Sequence, residues 1–482
     1  MNKGLLSVDY AIIILYIVIV ITIGIIVGLR KSSNSFFLAG RSLNWFMIGA
    51  ALFAANISTI QIIGLAALGY TDGLVWGNFL WGASFVLIIL SLIFAPLYFN
   101  NKISTLPEFL EKRFDRYSRA LLAIISIIIA VFIHIGISLY AGAVVFENFF
   151  GIDFWISIII MSLATAIYTI IGGLKAVVVT ETIQTAMLIL GTLIMTGLAI
   201  IELPEHGIYT LDDLRLSLKP HQWSMIHTHP ESNLKWYHLL LGYPVLGINY
   251  WCANQTIVQK VLGARSLRDA QYGPLWGGFL IIIPVFVIVL PGIIAYVLLG
   301  DQVTDPNDAL PMLITAILPI GLRGLMAAVF MAALMSTIAA ALNSASTLIS
   351  IDIIKKLKPD IREKQLVLNG RLIMVIIIIA SIAWSPLVGH FESIFSASSI
   401  LMSKLSPPIA ATLLIGVFSR KATAKASLFT LIIGFILGIA VFILDFESIS
   451  GFQHISKGLG IPFLMQAWWL FVICCLIMGV VT

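Results

Sequence analysis

The chain has 482 residues, of which 60% are hydrophobic and 11% are charged, with a formal net charge of +5. Its mean hydropathy of +1.05 lies far outside the range of water-soluble globular proteins. This composition excludes a soluble enzyme or a soluble binding module. It indicates a helical protein that crosses a membrane many times.

Apolar runs of roughly 18 to 25 residues, long enough to cross about 30 Å of hydrocarbon, recur about thirteen times in the sequence. They lie near residues 9–29, 44–71, 76–98, 119–146, 154–172, 176–201, 237–254, 273–299, 319–350, 368–389, 394–418, 424–445 and 461–481. We therefore expect an all-α polytopic membrane protein. The first run is too long for a cleaved signal and begins with Asp9, so it is expected to remain as a span.

The charges between these runs predict how the chain is oriented. An N-terminus outside the cell places most basic residues in cytoplasmic loops, including the cluster of Lys355, Lys356 and Lys358, as the positive-inside rule requires. Residue 482 then lies on the cytoplasmic side. The net positive charge follows from this topology and does not indicate nucleic-acid binding. The short loops favour a bacterial inner membrane.

No loop is long enough to hold an enzyme domain. The longest, residues 202–236, contains four histidines, but a solvated polar loop explains them as well as a metal site does. The sequence shows no nucleophile–base pair and no metal cluster, and no segment could hold the signalling domain of a sensor. Transport of a small-molecule solute across the lipid bilayer is the favoured function, without an evident obligate protein partner or organic cofactor.

The order of the runs predicts five regions. They are residues 1–43 with an extra N-terminal helix, 44–201, the extracellular loop 202–236, residues 237–418, and the C-terminal helices 419–482. The second and fourth regions contain five runs each, which suits an inverted-repeat transporter with its site at the membrane midplane. Both begin with a run that polar residues interrupt, at Asn56–Gln61 and at Gly247–Trp251. Polar groups at this depth survive where they line a cavity or bind a solute.

A second stretch of small and hydroxylated residues begins at Met331. At helical spacing Ala333, Ser336 and Thr337 share one face, so a backbone carbonyl and two hydroxyls can converge on a cation. Small residues also allow transmembrane helices to pack closely. Spacing alone leaves both interpretations open.

Five segments resemble the sodium/solute symporter family, with the sodium/glucose and sodium/galactose cotransporters most similar. They are Phe36–Leu43, Ala54–Ser58, Tyr168–Val177, Tyr250–Gln255 and Leu342–Thr347. The resemblance runs in order from about residue 9 to 445. It implies a five-plus-five inverted-repeat core of the LeuT type, preceded by one extra N-terminal helix.

The resemblance also implies a sodium ion as the coupling ion. Its ligands would be the backbone oxygens of Ala54, Ile57 and Ala333 and the hydroxyls of Ser336 and Thr337. Neutral oxygens of this kind suit a monovalent ion better than a divalent one. Glu181 matches a residue on the ion's inward path in the relatives, although a carboxylate that pairs locally is an equally good interpretation.

The sugar-binding residues of the relatives are matched only in part. Gln61 corresponds to a sugar-contacting glutamine, whereas the other contacts fall at Leu80, Gly247, Ile281 and Ser399. Each lost hydrogen bond costs about 1 kcal/mol, so an unmodified hexose in the relatives' pose is not expected. The substrate site is predicted to comprise Asn56, Gln61, Phe79, Tyr250, Trp251, Ser399 and Lys404.

Lys404 is unusual because its ammonium lies within an apolar run. An intramembrane charge is a functional candidate. It could neutralise a substrate carboxylate, occupy the position of a cation, or extend along the helix to the cytoplasm.

The sequence therefore predicts a sodium-coupled symporter that imports a small polar organic solute, such as a sugar, by alternating access. Two alternatives stay open. The solute could be an organic anion such as an acidic sugar or a carboxylate, with Lys404 as its counter-ion. The carrier could instead be coupled to protons, with Glu181 or His134 as the titrating group.

Overall fold

A computed structural model describes residues 5–28, 33–228, 234–390, 394–445 and 460–482. The described residues form 22 α-helices and no β-strand, which confirms the all-α class. Of the four histidines in the loop 202–236, His229 lies outside the described residues.

The first part of the chain contains eleven α-helices. They are α1 (Ser7–Gly28), α2 (Ser33–Leu38), α3 (Trp45–Asn56), α4 (Thr59–Asp72), α5 (Gly77–Ile89), α6 (Ala95–Asn100), α7 (Leu106–Arg113), α8 (Arg116–Ile128), α9 (Ser138–Phe150), α10 (Phe154–Glu202) and α11 (Leu211–Leu216). Short π-helical segments join α5 to α6 and α8 to α9.

The second part contains another eleven. They are α12 (Trp236–Gly247), α13 (Gln255–Leu262), α14 (Leu267–Leu280), α15 (Leu290–Leu299), α16 (Ala309–Ile317), α17 (Leu322–Leu348), α18 (Lys355–Leu357), α19 (Glu363–Trp384), α20 (Ile394–Phe418), α21 (Ala424–Asp445) and α22 (Phe463–Val481). A π-helical segment continues α17 into α18.

Ten helical stretches among the described residues are long and apolar enough to cross a membrane. The stretch of 53 residues from Phe154 to His206 would be about 80 Å long if straight, more than one crossing needs. It breaks at Gly173, where φ is 59°, a value that glycine adopts without steric cost. A Cβ there would also lie 2.4 Å from the carbonyl oxygen of Phe36. The count of thirteen spans and the repeat layout stay predictions.

Helix α17 forms the centre of the bundle. All its residues from Met326 to Leu348 are buried, as expected for a helix that is apolar or small on every face. The buried carboxylate of Asp9 in α1 accepts hydrogen bonds from the backbone N–H groups of Gly321 and Gly324, at 2.9 and 2.8 Å. A carboxylate at the N-terminal end of α17 satisfies unpaired N–H groups and complements the helix dipole. Asp9 therefore fixes α1 to the central helix.

Candidate functional site

The first polar interruption is a true break between two helices. Helix α3 ends at Asn56, and Ile57 has φ −83° and ψ 90°. In a continuous helix the N–H of Ser58 would donate to the carbonyl of Ala54. Here it donates to Asn56 O, at 3.1 Å, while the Ser58 hydroxyl accepts from the N–H of Gln61, at 3.3 Å. The break therefore releases the Ala54 carbonyl from the helical pattern.

Helix α17 brings its hydroxyls to this carbonyl. Ser336 Oγ lies 2.8 Å from Ala54 O and 2.9 Å from Ala333 O. Thr337 Oγ1 lies 3.1 Å from the same Ala333 oxygen. Four of the five proposed sodium ligands thus lie in one cluster, and the fifth, Ile57, forms the break itself. We call Ala54, Ala333, Ser336 and Thr337 the oxygen cluster.

The chemistry of the oxygen cluster suits a desolvated monovalent cation. Its donor atoms are two backbone carbonyls and two hydroxyls, without a carboxylate that would favour a divalent ion. The cluster is buried, with Ser336 and Ala333 both 0% exposed. These residues could hold Na⁺ between α3 and α17. The hydrogen bonds observed there also pack the two helices together.

A cavity of about 150 Å³ adjoins the cluster. Six of the seven proposed substrate residues line it, namely Asn56, Gln61, Phe79, Tyr250, Trp251 and Ser399. Thr337 also lines it, so one residue belongs to both the cavity and the oxygen cluster. Gln61 Oε1 is buried and has no hydrogen-bond partner within the described part of the chain. Its amide is therefore available to a solute.

Sequence reasoning missed several cavity residues. Tyr243, Ser138 and Ser406 line the wall without having been predicted. His134, which the sequence named as a candidate titrating group, lines it too. Single serines in apolar runs carry no pattern that distinguishes a cavity from helix packing, so no local signal identified them. Leu80 and Gly247, which replace sugar contacts of the relatives, also line the cavity.

The second break lies a few residues later than the sequence predicted. Residues Ile248–Ala253 form a π-helical segment, and the chain becomes extended only at Asn254, with φ −85° and ψ 122°. The wider π turn keeps the segment helical through the expected interruption. Asn254 Nδ2 lies 3.3 Å from His134 Nε2, so the break contacts the wall of the cavity.

Lys404 does not take part in the cavity, contrary to the sequence prediction. Its Nζ bonds to Asp445 Oδ2 at 3.1 Å, and its side chain is 2% exposed. On α20 it lies about 200° from Met402 and from Ser406, both of which line the cavity. The ammonium therefore points to the opposite side of the helix. The ammonium neither faces the cavity nor extends along the helix to the cytoplasm.

Glu181 also forms a closed ion pair. Its Oε1 lies 2.8 Å from Lys260 Nζ, and both side chains are buried. Lys260 Nζ donates in addition to Ala51 O, at 2.9 Å, one turn before Ala54 in α3. Glu181 Oε2 is buried without a partner in the described residues. The local ion pair that the sequence allowed for Glu181 is therefore present. It adjoins α3, the helix that contributes Ala54 to the oxygen cluster.

Two broken helices that surround a central cavity define the class of secondary transporters. The chain belongs to the sodium:solute symporter family, whose profile matches residues 36–434. It is a transporter and not an enzyme.

Curated relatives are similar over most of the chain. Sodium/glucose cotransporter 1 of Ovis aries is 33% identical, over 92% of this chain and 73% of the relative. Sodium/glucose cotransporter 4 of Homo sapiens is 34% identical, over 92% and 70%. Sodium/myo-inositol cotransporter 2 of Bos taurus is 33% identical, over 91% and 70%.

Two solved structures share the fold. A Na⁺-coupled sialic acid symporter in its substrate-bound outward-open state has a TM-score of 0.83 at 22% identity, covering 100% of this chain and 99% of that chain. Mhp1, a nucleobase-cation-symport-1 family transporter in a closed conformation, has a TM-score of 0.60 at 13% identity, covering 94% and 96%. At these identities the likeness concerns the fold alone.

Proposed function

We propose that this protein couples the inward movement of Na⁺ to the import of a small, neutral, polar organic solute, such as a sugar or a polyol, by alternating access. The observation that carries this proposal is the position of Ser336. Its hydroxyl bridges the freed carbonyl of Ala54 and the carbonyl of Ala333, at 2.8 and 2.9 Å, directly beside the cavity.

The ion is proposed to bind at the oxygen cluster together with the Ile57 carbonyl. Na⁺ there would hold the end of α3 against α17 and so fix the break that presents Asn56 and Gln61 to the cavity. Thr337 belongs to both sites, which gives a direct route of coupling. By reciprocal linkage, solute must tighten sodium binding by the same factor as sodium tightens solute binding.

The cavity favours a neutral solute over an organic anion. Among the described residues that line it, none is Asp, Glu, Lys or Arg. An anion would be buried there without a counter-charge from any side chain, at a cost of several kcal/mol that the neighbouring Na⁺ would offset only in part. The lining instead offers amides, hydroxyls and the aromatic rings of Phe79, Tyr250 and Trp251, which suit a hydroxylated body with apolar faces. The relatives that carry glucose and myo-inositol agree with this solute class.

The direction follows from the predicted orientation, with the N-terminus outside and residue 482 inside. A bacterial inner membrane with a negative interior would contribute about 2.3 kcal/mol per 100 mV for each charge moved. We place Glu181 on the inward path of the ion, because its pair with Lys260 lies one turn of α3 from Ala54. Its Oε2, which has no hydrogen-bond partner among the described residues, would contact the departing ion.

Sodium-dependent uptake into proteoliposomes tests the ion site. Combining Ser336→Ala with Thr337→Ala removes two ligand oxygens, and we expect the sodium concentration for half-maximal uptake to rise about ten-fold or more, at about 1 kcal/mol per lost contact. The matched control is Ser346→Ala on the same helix, whose hydroxyl donates to Gly370 O at 2.8 Å. It should leave the sodium dependence unchanged. An unchanged sodium dependence in the double variant would contradict the site.

A thermal-shift screen of the purified protein tests the solute class. Ligands that bind only the folded state raise its stability with concentration. We expect neutral hexoses or polyols to stabilise the protein in sodium but not in choline. Stabilisation by acidic sugars or carboxylates alone would identify an organic-anion symporter. A response to pH without any response to sodium would instead indicate proton coupling through His134 or Glu181.

A further inference from the structure

We propose that Lys404 is a positioning residue for solute binding. Together with Asp445 and Gln466, it holds α20 in place on the helix face opposite the cavity. It thereby sets the position of the α20 serines that line the cavity. This inference rests on the proposed function. It assigns to the buried ammonium a role that acts through the helix and not through contact with the solute.

The first observation is a polar junction between three helices, with a buried ammonium and a partly buried carboxylate. Lys404 on α20 is 1% exposed, and its Nζ lies 3.1 Å from Asp445 Oδ2 at the end of α21. Gln466 on α22 donates from Nε2 to the same carboxylate oxygen at 3.0 Å, and to Ile461 O at 2.6 Å. One carboxylate therefore receives a donor from each of the two neighbouring helices.

The second observation is the close approach of the backbones of α20 and α21 near Lys404 and Pro408. Gly434 and Gly438 on α21 are four residues apart, the small-xxx-small spacing that lets membrane helices touch. A Cβ at Gly438 would lie 2.4 Å from the carbonyl oxygen of Lys404, and one at Gly434 would lie 2.6 Å from Pro408 Cβ. Helix α20 therefore cannot move toward α21 without a steric clash.

The third observation is that the junction and the cavity lie on opposite faces of α20. Ser398, Ser399, Met402 and Ser406 line the cavity, whereas Lys404 and Pro408 follow the other face. On the cavity side, Asn249 Nδ2 donates to Ser406 Oγ at 2.9 Å. The glycine contacts limit the approach of α20 to α21, and the ion pair opposes its separation from α21. The glycine contacts and the ion pair together determine the position of the α20 serine hydroxyls in the cavity wall.

Loss of Lys404 or Asp445 should displace α20 in addition to lowering the stability of the protein. Lys404→Met removes the bond between α20 and Asp445, and it leaves a partly buried carboxylate that keeps its Gln466 donor but has lost its ammonium. Water stabilises such a carboxylate, and a shift of α20 would admit it. Small displacements of a binding group have large effects on recognition and on reaction geometry. We therefore expect a change in solute affinity in addition to any change in stability.

The test compares charge removal with charge exchange in proteoliposomes. Lys404→Met should raise the half-saturation concentration for solute at least about five-fold at saturating sodium. Exchange of the partners, Lys404→Asp with Asp445→Lys, should restore it to within about two-fold, because the junction is retained. The neutral pair Lys404→Met with Asp445→Leu should regain thermal stability but not solute affinity. Unchanged solute affinity in Lys404→Met and in the neutral pair, with only a lower melting temperature in Lys404→Met, would overturn the proposal.

A variant that leaves all charges in place provides a second route. Gly438→Ala pushes a methyl group against the Lys404 carbonyl and should also raise the half-saturation concentration for solute. Gly479→Ala on α22 is the control, because no atom lies within 4 Å of its added Cβ. No change in Gly438→Ala would count against the proposal. Sodium-dependent uptake by the unaltered protein is measured alongside, so that failure of the symport proposal itself is recognised separately.

Discussion

The central cavity and the helix contacts around it use opposite chemistry. Within the described residues, the cavity and the oxygen cluster contain amides, hydroxyls, carbonyls and aromatic rings but no formal charge. Around them the described residues form two buried ion pairs, Glu181–Lys260 and Arg119–Asp352, and a partly buried one, Lys404–Asp445. Neutral oxygens can bind and release an ion and a solute at modest cost. Full charges in a dry interior must stay paired, so here they join helices.

This difference predicts where substitutions act. Changes to an ion pair should alter stability first, because they leave a charge buried and alone. Changes in the neutral region should alter transport first, with little effect on stability.

The largest effect is expected for Glu181→Ala. It leaves the fully buried ammonium of Lys260 without its carboxylate, which typically costs about 3–5 kcal/mol of stability. Thermal or chemical unfolding in detergent measures the loss. The double variant Glu181→Leu with Lys260→Met should lose much less, since no charge is left alone. Equal losses in the single and double variants would contradict the comparison.

Asp352→Asn should have a smaller effect. Arg119 would lose a charged partner at 2.6 Å, but it would keep its contact with Glu111, and the asparagine can still accept the hydrogen bond that Thr105 now donates to Oδ1 at 2.8 Å. We expect a loss of about 2 kcal/mol in unfolding free energy, because one charged hydrogen-bond partner remains. A loss as large as that of Glu181→Ala would show that Glu111 does not compensate.

Gln61→Ala tests the neutral region. The lost amide contact should lower solute affinity about five-fold, equivalent to about 1 kcal/mol, while the melting temperature stays nearly constant because Gln61 Oε1 has no hydrogen-bond partner in the described chain. Gln365→Ala, at an exposed position, is the control and should change neither quantity. A large loss of stability with unchanged affinity would reverse the assignment.

The smallest effect is expected for Lys356→Ala at the margin of the Arg119 pair. Lys356 is half exposed and lies 2.9 Å from Glu111, so its removal should cost less than about 1 kcal/mol, and less still at high salt.

Partial burial acts to raise the pKa of Glu111, but hydrogen bonds from Lys356 and Arg119 outweigh it and lower that pKa below its ordinary value of 4.5.

The sign of the pH dependence follows from that lowered pKa. The stability that Glu111 contributes is fully present above its ordinary pKa of 4.5 and is lost as the pH falls through the lowered value. Melting temperatures measured from pH 7 down to pH 3 should show this loss. The loss should be smaller in Lys356→Ala, and an identical pH profile in both proteins would contradict the ion pair.

Composition and hydropathy alone predicted the all-helical membrane class, and the polar residues at Asn56–Gln61 correctly indicated a helix break. These are local properties, since a run of apolar side chains or a cluster of polar ones has the same meaning wherever the chain folds. The motifs in order indicated the family, which the comparisons confirm. The second break was predicted a few residues early, because a π turn adapts to a polar stretch without ending the helix.

The family resemblance predicted that Ser336 and Ala54 lie together, although 282 positions of sequence separate them and no local pattern reveals the contact. Only the tertiary structure decided that Lys404 pairs with Asp445, 41 positions away. The apolar run around Lys404 allowed several roles for its ammonium, and packing selected one of them. The reason is physical: sequence determines how each segment partitions and folds, whereas the partner of a buried charge depends on which helix face lies opposite.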